Sequence, residues 1–202
     1  MSFNSIARHY DKLSRLVFGE SLMRAQLYFL NRIDPSSNVL VMGGGTGWWL
    51  KEFLLKRPEC NVCYVEKSVE MLKLAKAVCG DDQRISYRLG TEDSIIERNE
   101  FDAVITFCFL DVFSEVELGG VIEKIKLSAK ADADWLVTDF INTRIWHSIL
   151  LFVMYRFFRV TTSLKIQQLP NWEDLLLRSN LIEIEQKLFY GGFIKSAIFK
   201  RK

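Results

Sequence analysis

The sequence predicts an open α/β sheet, mostly parallel, with helices on both faces and an antiparallel hairpin at its end. Three observations carry that prediction. Continuous apolar runs of strand length alternate with stretches of helical period, the pattern of a buried parallel sheet wrapped by helices. The first run, NVLVM (Asn38 to Met42), breaks directly into Gly43-Gly44-Gly45-Thr46-Gly47. The last two runs are joined through Gly191-Gly192, a hairpin signal.

From Ser2 to about Arg32 the chain reads as helix, with Leu22, Met23, Leu27, Phe29, Leu30 and Ile33 forming an apolar stripe until Asp34-Pro35 breaks it. After the glycines, WWLKEFLLKR reads as a helix that stops before Pro58. NVCYVE is the second strand. SVEMLKLAKAV is the next helix, with Ser68 as its cap, Met71, Leu72 and Ala75 on its apolar side and Gly80 past its end. ISYRL is a short strand and FDAVITFCFL a long one. EVELGGVIEKIKLSA reads as helix despite its glycine pair, DWLVTDF as strand, NWEDLLLRSN as helix, and IEIEQKLFY with FIKSAIFK as the terminal pair.

A chain of 202 residues suffices for one domain and is short for two. Residues 1–202 therefore read as a single domain, with 1–34 a helical N-terminal cover and 141–170 an insertion before the last elements. Net charge is +2, from 27 basic and 25 acidic residues, which gives no electrostatic case for nucleic acid. The N-terminus lacks the apolar core of a secretion signal, and the four cysteines are scattered, so a cytoplasmic chain with reduced thiols is expected. Cys60 and Cys63 form a C-x-x-C pattern, but on a strand they point to opposite faces and no second pair completes a metal site.

In such a sheet the ligand lies beyond the C-terminal strand ends, where the strand order reverses. The loop Gly43 to Gly47 is the expected cradle. Glycine admits positive φ and lets a ligand touch the main chain, and the helix beginning near Trp48 would turn its N–H groups toward it. Of the two tryptophans that open that helix, one can face the core and the other the cleft. A dinucleotide would want glycine where Trp48 stands, and no Gly-Lys-Ser/Thr follows to make a phosphate loop. S-adenosylmethionine, with no pyrophosphate, fits better. Glu66 ends the second strand about twenty residues past the loop, where a carboxylate accepts ribose hydroxyls.

These motifs together resemble class I S-adenosylmethionine-dependent methyltransferases, in particular the branch of ubiquinone and menaquinone biosynthesis. VLVMGGGTG resembles the family's V-L-D-L-G-C-G-T-G. VEKSVEMLKLAK resembles its second motif, FDAVITFCFLDVF its fourth-strand motif, and FNSIARHYD its N-terminal segment. The resemblance covers essentially the whole chain and implies a Rossmann-like fold, S-adenosylmethionine as cofactor, and a cofactor site of Tyr10, Gly43, Gly44, Gly45, Gly47, Glu66, Lys67, Thr91, Glu92 and Phe107. Three departures stand out. Val41 replaces the usual Asp, so the cofactor's amine leans on backbone carbonyls. Gly44 replaces Cys or Ser, a change expected to cost little. Thr91 takes the place of the acid near the adenine amine, with Glu92 and Asp93 beside it to stand in.

Methyl transfer from a sulfonium requires mainly alignment and a dry pocket; positioning alone supplies about 7–11 kcal/mol. No catalytic triad is visible and none is needed. The two histidines, His9 and His147, are the candidate bases, although a lone histidine is more often structural. Residues 141–162 combine Trp146, Phe152, Tyr155, Phe157 and Phe158 with Arg144, Arg156 and Arg159. The stretch ILLFVMY is far below the ~20 residues of a span. The segment reads as a helical lid over a small aromatic or lipophilic acceptor, with 144–160 available to a membrane surface. A rival reading keeps the fold, loses the activity and binds a partner through the aromatic cover; Val41 and Thr91 favour it.

Overall fold

The computed structural model describes residues 4, 6–162 and 168–202. Ser2, Phe3 and Ser5 of the expected N-terminal helix, and residues 163–167 of the expected insertion, lie outside the described residues.

Seven strands make one sheet in the order β3-β2-β1-β4-β5-β7-β6. Strands β1 (Asn38–Met42), β2 (Asn61–Glu66), β3 (Ile85–Leu89), β4 (Phe101–Phe107) and β5 (Ala129–Phe140) are parallel. Strands β6 (Leu181–Phe189) and β7 (Ile194–Arg201) form the antiparallel hairpin, and β7 slots between β5 and β6. The chain runs outward from β1 through β2 to β3, then returns to β4 on the other side of β1. That reversal opens a crevice above the C-terminal ends of β1 and β4.

The expected N-terminal helix is two helices, α1 (Ala7–Phe18) and α2 (Ser21–Tyr28). Gly19 separates them: its φ of 57° ends α1, and its N–H closes on the Arg15 carbonyl at 2.8 Å. Helix α3 (Leu50–Lys56) begins two residues later than the sequence suggests, so Trp48 and Trp49 belong to the turn before it. Helix α4 (Val69–Cys79) is capped by Ser68, whose hydroxyl accepts the Met71 N–H. Helix α5 (Glu115–Ser128) contains both Gly119 and Gly120 and starts at a capping box of Ser114 and Glu117. Helices α6 (Ile145–Thr161) and α7 (Trp172–Arg178) follow.

Burial divides along the sheet. On one face Leu40, Met42 and Val104 pack with Leu118, Ile122 and Ile125 of α5 and with Trp172 and Leu176 of α7. On the other face Val39, Val41 and Ile105 pack with Leu50 and Phe53 of α3 and with Leu72 and Ala75 of α4. Cys60 and Cys63 fall in these opposite cores, as strand alternation requires, and all four cysteines are free. A third cluster gathers Phe18, Leu22 and Ala25 with Phe140, Phe193, Leu151 and Tyr155. It fastens α1, α2 and α6 over the crevice as a cover. Among the described residues no helix is long and apolar enough to cross a membrane.

Candidate functional site

The crevice contains a cavity of about 280 Å³ lined by the loop after β1, the ends of β2 and β4, residues 90–92 and the inner side of α1. At its centre is Glu66. The carboxylate is 7% exposed; one oxygen accepts the Gly45 N–H at 3.0 Å and the other the Ser68 N–H at 2.7 Å. Burial pushes its pKa up, and the amide donors oppose that push. Each carboxylate oxygen has a second lone pair, so Glu66 can hold the loop and still accept hydroxyl hydrogens from a ligand.

The loop conformation follows from its glycines. Gly45 has φ of +66°, and a Cβ built there would meet nothing within 4 Å, so its ligand side is open. Gly44 is different. A Cβ there would lie 2.0 Å from the Tyr64 ring, whose hydroxyl donates to the Gly45 carbonyl at 3.1 Å. Glycine at 44 is thus the residue that the Tyr64 ring leaves room for. The expected place of Gly47 in the cofactor site is corrected. It does not line the cavity; a Cβ there would meet Ala75 Cα at 3.0 Å, so its bareness lets α4 approach.

The remaining expected residues divide. Tyr10, Gly43, Gly44, Gly45, Glu66, Lys67, Thr91, Glu92 and Phe107 all line the cavity. Asp93 does not: it is exposed and paired with Lys124, which leaves Glu92 as the acid beside Thr91. Both tryptophans line the cavity, but Trp49 is also core, packed edge-on against Phe53 and Phe107. Neither histidine reaches it. His9 is exposed. His147 is fully buried between Trp146 and Phe193, where its Nδ1 accepts the Thr143 N–H at 3.1 Å and burial lowers its pKa. This geometry makes His147 a structural histidine, not a base in the cleft.

Three carboxylates that sequence reading passed over lie in or beside the crevice. Asp11 of α1 accepts the Thr46 hydroxyl at 2.9 Å, so the loop gains an acid from the cover where Val41 supplies none from the strand. Asp139, at the end of β5, accepts the N–H groups of Phe109, Leu110 and Asp111 on one oxygen and that of Phe140 on the other. It thereby fixes the turn that follows β4. Asp111, on that turn, lines a second cavity of about 220 Å³ between α1 and α6, which shares Tyr10, Ser14, Cys108 and Val112 with the first. Among the described residues no cluster of His, Cys, Asp and Glu could hold a metal ion.

This is the Rossmann-like fold of methyltransferases. Residues 39–132, just under half of the chain, match the methyltransferase-domain family. The whole structure is similar to a chain of the complex between the Haloferax volcanii Trm112 methyltransferase activator and a candidate methyltransferase, with a TM-score of 0.74 and 14% identity over 98% of this chain and 96% of that one. It is also similar to the mitomycin 7-O-methyltransferase MmcR, with a TM-score of 0.71 and 18% identity over 100% of this chain and 61% of that one. A third is the Burkholderia thailandensis 1,6-didemethyltoxoflavin-N1-methyltransferase with bound 1,6-didemethyltoxoflavin and S-adenosylhomocysteine, with a TM-score of 0.68 and 15% identity over 98% and 84%. A comparison with curated proteins finds no match.

The Gly44–Tyr64 contact generates a prediction. Gly44→Ala should destabilise the protein by about 1–3 kcal/mol, the usual range for overpacking a tight site, and Tyr64→Leu in the same chain should recover most of that loss. Urea unfolding of the two single variants and the double variant measures the coupling; an additive result would mean that the ring and the loop do not compete for space.

Proposed function

We propose that the protein is an S-adenosylmethionine-dependent methyltransferase that acts on a small lipophilic acceptor. The observation that carries this reading is Glu66 clamped between the Gly45 and Ser68 amides beneath an open glycine cradle. Glu66 would accept the ribose hydroxyls, the main chain at Gly43 and Gly45 would face the methionine portion, and Glu92 stands at the adenine end. The S-adenosylhomocysteine bound to the Burkholderia thailandensis methyltransferase of similar fold supports this choice of cofactor. The cofactor supplies an activated methyl group when bound. The chain's own task is to orient an acceptor against that group and exclude water; α1 and α2 border the crevice and α6 the adjoining cavity. A scaffold that has lost the cofactor is disfavoured, because the cradle is intact and Asp11 brings an acid to the loop despite Val41.

The outer face of α6 points to how a lipophilic acceptor arrives. Ile145, Ile149, Phe152, Val153 and Val160 are exposed along one side of the helix, with Arg144, Arg156 and Arg159 exposed beside them. Val153 and Phe157 are both exposed and line the second cavity, so its mouth opens on this greasy, basic face. Such a face suits an anionic membrane surface.

Calorimetry should record micromolar binding of S-adenosylhomocysteine. Glu66→Gln should weaken it by about 1–3 kcal/mol, and Gly45→Val should abolish it while the protein stays folded, since the added side chain would meet no protein atom within 4 Å of its Cβ but would strain the loop at φ +66°. A flat titration with folded wild-type protein would sink the reading.

In flotation assays, the protein should rise with vesicles containing phosphatidylserine, and the variant Phe152→Ser/Arg156→Gln should remain at the bottom. If the wild-type protein ignores the vesicles, α6 is a lid alone.

A further inference from the structure

The second cavity is walled by Leu13, Val17, Phe18, Phe140, Leu150 and Met154, among other apolar side chains, and a buried carboxyl sits in that wall. Asp111 is 7% exposed, and its Oδ1 is buried without a hydrogen-bond partner among the described residues. A buried polar atom with no partner is costly. Neighbouring groups are engaged elsewhere. The Tyr155 hydroxyl donates to the Asp111 backbone carbonyl at 3.3 Å and not to its side chain. The Gln26 amide is directed to Cys108 Sγ at 4.0 Å. Asp139, next to Asp111, has its oxygens engaged by backbone N–H groups. The cavity is the space from which a partner can come.

We propose that this cavity binds the acceptor, a neutral molecule with an apolar body and a hydroxyl, and that Asp111 is the positioning residue that anchors the hydroxyl. The inference rests on the neighbouring cleft being the cofactor site, which the second cavity adjoins through Tyr10, Ser14, Cys108 and Val112. Apolar walls exclude water and select a lipophilic body. A carboxyl with a free oxygen inside such walls selects a group that completes its hydrogen bonding and rejects analogues that leave it unpaired.

The charge state fits a neutral ligand. Burial and the nearby Asp139 both push the Asp111 pKa well above the usual carboxylate range. Burial raises Asp139 less far, to about 7, because four amide donors stabilise its charge. Of the two carboxyls, Asp111 is therefore the one that more readily holds a proton. A protonated Asp111 can both donate to a hydroxyl and accept from it. Among the described residues no Lys or Arg lines this cavity to balance an anionic ligand.

Fluorescence titration with three two-ring probes tests the proposal, using the full chain saturated with S-adenosylhomocysteine: 1-naphthol, 1-methoxynaphthalene and 1-naphthylmethylammonium. The wild-type protein should bind 1-naphthol about tenfold more tightly than the other two. Asp111→Leu should erase that preference by weakening 1-naphthol alone, whereas Asp111→Asn, which still donates and accepts, should keep part of it. S-adenosylhomocysteine affinity and melting temperature, measured on the same samples, should stay near wild type. Equal binding of all three probes by the wild-type protein, a preference that survives Asp111→Leu, a preference for the ammonium, or no probe binding would each overturn the assignment. Loss of S-adenosylhomocysteine binding by the wild-type protein would instead overturn the cofactor reading. An Asp111-dependent naphthol site could then stand without it.

Discussion

The site depends on one buried carboxylate. Glu66 ends β2, takes the N–H of Gly45 from the loop after β1, and takes the N–H of Ser68 at the start of α4. Three elements from different parts of the chain are thus joined at one side chain. Burying a carboxylate is unfavourable unless donors surround it, and the raised pKa of Glu66 records that cost. The two amides offset it and leave lone pairs directed at the crevice. The same arrangement fixes the loop backbone, caps the next helix through its neighbour Ser68 and presents an acceptor to a ligand.

A second carboxylate does comparable work on the other side of the strand reversal. Asp139 ends β5 and gathers four backbone N–H groups, three of them from residues 109–111. This holds the turn after β4 in place and puts Asp111 in the wall of the second cavity. The crevice is therefore built between two acid-anchored strand ends, with the polar loop on the β1 side and an apolar chamber on the β4 side. Helix α1 borders both, α2 the first and α6 the second.

Much of this was legible in the sequence. Strand positions were marked by apolar runs, and the cradle by four glycines immediately after one of them. Glu66 was marked by its place at a strand end before a capped helix. What could not be read were contacts between residues distant in the chain. Nothing local to Gly44 says that the Tyr64 ring will lie against it, and nothing local to Gly47 says that Ala75 will. The split at Gly19 was missed because the apolar stripe that was read, Leu22 to Ile33, lies wholly beyond it. His147 was a candidate base only as one of two histidines in the sequence, and helix α6 turns it inward with Leu151 and Tyr155 at four-residue spacing. Asp111 and Asp139 did leave a signal, a lone acid inside each of the apolar stretches FCFLDVF and LVTDF. A charge inside an otherwise buried run needs donors or a function: Asp139 has four amide donors, and Asp111 has the anchoring role proposed above.

The most direct test of the account is a crystal structure with S-adenosylhomocysteine. The account predicts both ribose hydroxyls on the Glu66 carboxylate, the Gly45 and Ser68 amides still bonded to it, and the sulfur facing the second cavity. A nucleoside bound elsewhere, or a Glu66 side chain turned away from the loop to let the ligand in, would contradict it.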